Sequence, residues 1–165
     1  ILLLMSSSSS PDPERPTIAK IVGLSGLLIW TGDRGEIVRD ISIGTALAGG
    51  TIEGMAPDSW FELQFNDGST VMISGTSMLT FADLGQKELR LRQGIFSANV
   101  APQPAGKPML IHTPSTLLKV LGTQFDVEAS MASTVLNVTE GKVRMRRLSD
   151  GREVDVPAKH RVIAE

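Results

Sequence analysis

The sequence contains no cysteine and no tyrosine among its 165 residues. Lack of cysteine excludes disulfide frameworks, zinc knuckles and thiol catalysis together. Aromatic residues supply only 4% of the chain, so its core has to be built mainly from Val, Ile, Leu and Met. Histidine is equally scarce: His112 and His160 are the only two, on separate segments, and no pair stands at metal-ligand spacing. An excess of charge is missing as well. The formal net charge of −2 is too close to neutral to direct the chain to DNA, RNA or an anionic membrane. There is no Gly-x-Ser-x-Gly elbow, and Ser115 near His112 carries little information in a serine-rich chain. Asp126 and Glu128 share one strand face, which suits a solvated acidic surface better than acid–base chemistry. No enzyme, no cofactor and no metal are therefore expected.

Long apolar runs are absent too. The stretch 18–30 is interrupted by Gly23 and Gly26 and is shorter than the roughly 20 residues of a membrane span; it reads as two strands with a glycine bend. Residues 1–5 form an apolar stub that would cover roughly 8 Å as helix, against a hydrocarbon core of about 30 Å. A Ser run and Pro11, Pro13 and Pro16 follow. Residues 1–16 are thus expected to be a stub and linker, either the end of a membrane segment or a cloning remnant. Residues 17–165 are expected to form one β domain.

What the chain does have is glycine (16) and proline (9), which punctuate short alternating segments. Phe61, Leu63 and Phe65 alternate with Glu62 and Gln64, the period of a half-buried strand. Asn66-Asp67-Gly68-Ser69 is a tight-turn signal, and Val71 and Ile73 resume the alternation, so 60–74 reads as a hairpin. Leu89 and Leu91 alternate with Arg90 and Arg92 before Gln93-Gly94, where a turn is expected, with Phe96 on the return. Phe125 and Val127, then Leu136 and Val138, repeat the pattern; Glu140-Gly141 is expected to turn into Val143 and Met145, and Asp150-Gly151 to turn again. The proline-rich stretch 101–108 reads as a loop, since proline cannot donate to a ladder. The best helical candidate, 77–84, is weak. The fold class is all-β, built from short antiparallel strands and hairpins.

The order of these segments resembles the FecR-type periplasmic domain. The run 60–69 resembles that family's hairpin, and Leu89-Arg90-Leu91-Arg92-Gln93-Gly94 its next strand and glycine turn. Gly122-Thr123-Gln124-Phe125-Asp126-Val127 is similar to its Gly-Thr-x-Phe-x-Val strand. Val138-Thr139-Glu140-Gly141-Lys142-Val143 is similar to the Val-x-Glu-Gly-x-Val turn that follows it. One departure is Lys159, where these domains usually carry a glycine turn.

The resemblance implies a twisted, solenoid-like β stack in the periplasm, tethered to the inner membrane by a segment upstream of residue 1. It implies a partner that is another envelope protein, such as a receptor signalling domain, and a role as signal relay in a transmembrane sigma-factor regulator. The alternative it leaves open is a structural or glycan-binding module of a large envelope protein. In either case Phe61, Leu63, Phe65, Phe125, Val127 and Val143 are expected as core. Asp67, Gly68, Gly94, Gly122, Thr123, Glu140, Gly141 and Gly151 are expected to shape turns. Arg90, Arg92, Arg144 and Arg146 are the candidate partner surface for an acidic protein. The plainer expectation is that they form cross-strand pairs with Glu62, Asp126, Glu128 and Glu140.

Overall fold

A computed structural model describes residues 16–165, so the stub and most of the linker lie outside the described residues. The described chain forms strands and no helix. In chain order they are β1 (Ala19–Ser25), β2 (Leu28–Thr31), β3 (Ile37–Val38), β4 (Ala46–Leu47), β5 (Gly50–Gly54), β6 (Trp60–Phe65), β7 (Thr70–Asp83) and β8 (Lys87–Asn99). These are followed by β9 (Met109–His112), β10 (Thr116–Val120), β11 (Gln124–Ala129), β12 (Thr134–Glu140), β13 (Lys142–Arg147), β14 (Glu153–Pro157) and β15 (His160–Ala164). The all-β class is what the structure shows, and the sheet is open.

The organising element is the long hairpin β7–β8. Its register runs Thr70↔Asn99 to Ser74↔Ile95, breaks, and resumes from Leu79↔Leu91 to Asp83↔Lys87. The break at Gly75, Thr76 and Ser77 opposite Gly94 divides the hairpin into two halves that serve different layers. The first half of β7 pairs with β6 and the second with β5; the last part of β8 pairs with β11 and its first part with β9. One layer therefore reads β4-β1-β6-β7-β8-β11-β12-β15, and the other β3-β2-β5-β7-β8-β9-β10-β13-β14. Within these ladders every pairing is antiparallel except β8–β9. That one parallel pair requires a crossover, which the proline-rich segment between β8 and β9 supplies.

Alternation decides which side of each layer is dry. Phe61, Leu63, Val71, Ile73, Phe96, Val127 and Leu136 of the first layer are fully buried. They face Ile52, Leu79, Leu89, Ile111, Leu118 and Val143 of the second, in one continuous core. Each such side chain contributes about 1.5–3 kcal/mol. Phe65 meets Phe81 edge-on across the layers, centroids 6.3 Å apart and planes at 88°. Phe96 and Phe125 lie side by side in the first layer at 6.0 Å.

Three local expectations are corrected. Gln93-Gly94 is not a turn, because β8 continues through it to Asn99 and Phe96 extends the same strand. Glycine is needed there for another reason: its φ is +129°, and a Cβ would lie 2.8 Å from Cβ of Ser77. Residues 77–83 are strand, since Leu79 and Phe81 alternate with Met78 and Thr80, and Leu84 lies in the bend that follows. Glu140-Gly141 does not close a hairpin; β12 pairs with β11 and β15, and Gly141 carries the chain to β13 in the other layer. The final bend places Lys159 at φ 65°, taking the left-handed position that glycine usually fills.

Folding the hairpin over brings its two ends together, and Asp67 joins them. Asp67 Oδ2 lies 3.0 Å from Nζ of Lys87, which also approaches Asp83 at 3.5 Å. Gln103 Nε2 donates to Asp67 at 2.8 Å and the Ser69 amide at 2.9 Å. Partial burial alone would raise the Asp67 pKa, but these hydrogen bonds outweigh it and lower the value to about 2. A turn residue of the sequence is thus also a clamp between layers.

Two outcomes follow for stability. Gly94→Ala is expected to destabilise by about 1–3 kcal/mol through backbone strain and the Ser77 clash, read as a lower denaturant midpoint. Because the folded Asp67 pKa lies below its ordinary value of 3.8, its contribution is complete above about pH 4 and fades as pH falls toward 2. Asp67→Asn should cost about 1 kcal/mol at neutral pH and flatten stability against pH in that window. An unchanged slope would refute the clamp.

Candidate protein-binding surface

The outward residues of the second layer form rows that can be followed strand by strand. One row runs Arg90, His112, Leu117, Arg146, Glu153, and its neighbour Glu88, Leu110, Lys119, Arg144, Asp155. With adjacent strands about 4.8 Å apart, Arg90 and Arg146 stand roughly 14 Å apart on one face. The sequence placed these arginines on the outside of separate hairpins; the fold brings them together because β9 and β10 fill the space between.

The acidic residues expected to pair with them are elsewhere. Glu62, Asp126 and Glu128 project from the outer side of the first layer, in register with Met72, Ser97 and Ile95. Glu140 ends β12 in that same layer. Asp126 there accepts a hydrogen bond from Ser97 at 2.6 Å. The cross-strand pairing expected with these four carboxylates is therefore corrected. Instead Arg144 Nε binds Asp155 at 2.9 Å, raising the arginine pKa and lowering that of the aspartate. Arg90 reaches Glu88 at 3.2 Å, and His112 Nε2 reaches the same oxygen at 2.9 Å. Asp150, in the β13–β14 turn, is held at about 2 by the hydrogen bond from Arg147. Among the described residues, Arg92, Lys119 and Arg146 form no ion pair.

On this face the cations Arg90, Arg92, Lys119, Lys142, Arg144 and Arg146 stand against the carboxylates Glu53, Glu88, Glu153 and Asp155. Half-buried Leu110 and Leu117 occupy its middle. At one end Lys119, Lys142 and Arg144 converge with Leu121 around a hollow of about 260 Å³. A basic rim around an apolar centre is suited to an acidic polypeptide, with electrostatics governing encounter and register. The sequence reading missed Lys119 and Lys142; the signal was available, since Lys119 alternates with the core residues Leu118 and Val120.

The turn-shaping motif residues are not on this face. Thr123 is buried, and Gly141 lies over it: a Cβ at 141 would be 2.7 Å from Thr123 Cγ2 and 3.0 Å from the Gly122 carbonyl. The Gly-Thr and Glu-Gly motifs, 18 positions apart, thus touch each other. Gly122 passes the chain from β10 to β11, and Gly68 donates its amide to Phe65 at 3.0 Å. Among the described residues there is no group of three or more His, Cys, Asp or Glu able to hold a metal ion. Nor is any helix of the described residues long and apolar enough to cross a membrane.

Comparison with known proteins agrees with this architecture. The family model described as FecR protein matches residues 54–144, more than half of the chain. Two solved structures of a candidate anti-sigma factor from Parabacteroides distasonis superpose with TM-scores of 0.62 and 0.58, both at 18% identity. The first match covers 70% of this chain and 54% of the other, the second 66% and 51%. The chain therefore spans about half the length of those proteins. No curated protein matches.

Because Lys119 and Arg146 form no ion pair among the described residues, the double variant Lys119→Glu/Arg146→Glu should fold normally, with a melting temperature within about 2 °C of the parent. A much larger drop in a thermal melt would show that these charges hold the fold together and are not a free surface.

Proposed function

The chain belongs to the FecR family, and from that premise we propose that it is the extracytoplasmic protein-binding, signal-relay domain of a transmembrane sigma-factor regulator. In this reading residues 1–16 are stub and linker and residues 17–165 the β domain, in the periplasm. A segment upstream of residue 1 tethers it to the inner membrane. Its repeated crossing between layers is read as the solenoid-like stack of the family. It works by binding, not by chemistry.

The observation that carries the proposal is the segregation of charge. A chain of net charge −2 places six of its sixteen arginines and lysines on the outer face of one layer. The partner is an envelope protein with an acidic surface, such as a receptor signalling domain. The anti-sigma character of the structural neighbours supports the sigma-factor connection.

The test uses the full chain as bait against a purified receptor signalling domain with an acidic surface. Capture is expected, weakening steeply as salt is raised, and falling at least tenfold with Lys119→Glu/Arg146→Glu. No capture, or equal capture by the charge-reversed variant, would sink the reading.

A further inference from the structure

An open sheet has edges, and a protein that stays soluble blunts them. The two layers end in β3, β4, β14 and β15. β3 and β4 are two residues long. β14 carries Glu153, Asp155 and Pro157, a charged and proline-broken edge. β15, His-Arg-Val-Ile-Ala, has no proline, lysine or carboxylate, and among the described residues its only strand partner is β12. At alternate residues its far side therefore presents backbone amides and carbonyls that have no strand partner among the described residues.

Beside that edge the two layers gape. Met145 and Val154 of one and Val162 and Ala164 of the other line a cleft of about 210 Å³. Val154, in register with buried Met145, remains 47% exposed, although Val143 and Val156 of the same layer are buried. Arginines surround this end: Arg152, with 83% of its side chain exposed, Arg161, which has no ion pair among the described residues, and Arg147 on Asp150. Glu153 is the carboxylate that lines the cleft.

We propose that β15 takes up an extended segment of the partner protein as an additional strand of its layer. The backbone edge selects an extended chain. Alternate side chains of that chain would point into the Met145–Val154–Val162 cleft and must be apolar, while the intervening ones face outward beside Arg161 and are acidic. Main-chain pairing supplies affinity and the alternating pockets specificity. This inference rests on the protein-binding reading above and names how the partner is held.

The probe is an eight-residue peptide alternating valine and glutamate, added to the full 165-residue chain, with a scrambled peptide of equal composition as control. Hydrogen exchange should slow at the amides of 160–164 with the alternating peptide only. Anisotropy should show binding at least tenfold weaker in Val154→Asp and unchanged in Val154→Leu; Val154 is exposed, so both variants fold. Protection elsewhere, no binding, or protection of β15 by concentration-dependent dimerisation without peptide would each overturn the proposal. The two readings fail separately. Peptide protection at β15 without capture of the receptor domain defeats only the relay. Capture with β15 still exchanging freely defeats only strand addition.

Discussion

Two strands, β7 and β8, belong to both layers, and the remainder of the chain pairs outward from them. Because a hairpin can fold over only where its ladder is broken, the interruption at Gly75–Ser77 and Gly94 fixes where one layer ends and the next begins. A side chain at 94 would meet Ser77 and straighten or split the hairpin. The clamp at the far end, Asp67 with Lys87 and Gln103, exists only because the fold brings the two ends of the hairpin back together. Core, clamp and outer face are thus consequences of one bend.

Much of the fold was legible because side-chain alternation survives in almost every strand. Leu63, Leu89, Val127 and Leu136 are buried as their period of two requires, and the glycine bend between β1 and β2 lies at Gly26, φ 82°. What could not be read was partner choice. A tight turn and a layer crossing use the same residues, so Gly141 looked like a hairpin turn although β12 and β13 never pair. Gly94 misled for a related reason: glycine marks a distorted backbone but does not say whether the chain reverses or only kinks.

The candidate surface was half legible. Outward arginines are visible from strand parity, but which of them share a face depends on strand order, and that depends on the parallel β8–β9 pair made possible by the loop 101–108. The pairing of β6 with β7 and of β11 with β8 puts Glu62, Asp126 and Glu128 on the outer side of the other layer. Charge balance in the sequence therefore concealed charge separation in the structure.

The packing of Gly141 upon Thr123 has a consequence for how such chains can diverge. Position 141 cannot gain bulk: its φ is +79°, and a Cβ would meet the Gly122 carbonyl as well as Thr123, so a smaller residue at 123 relieves only one of the two contacts. The two short motifs behave as one constrained unit, in which backbone conformation as well as the neighbouring side chain keeps glycine at 141.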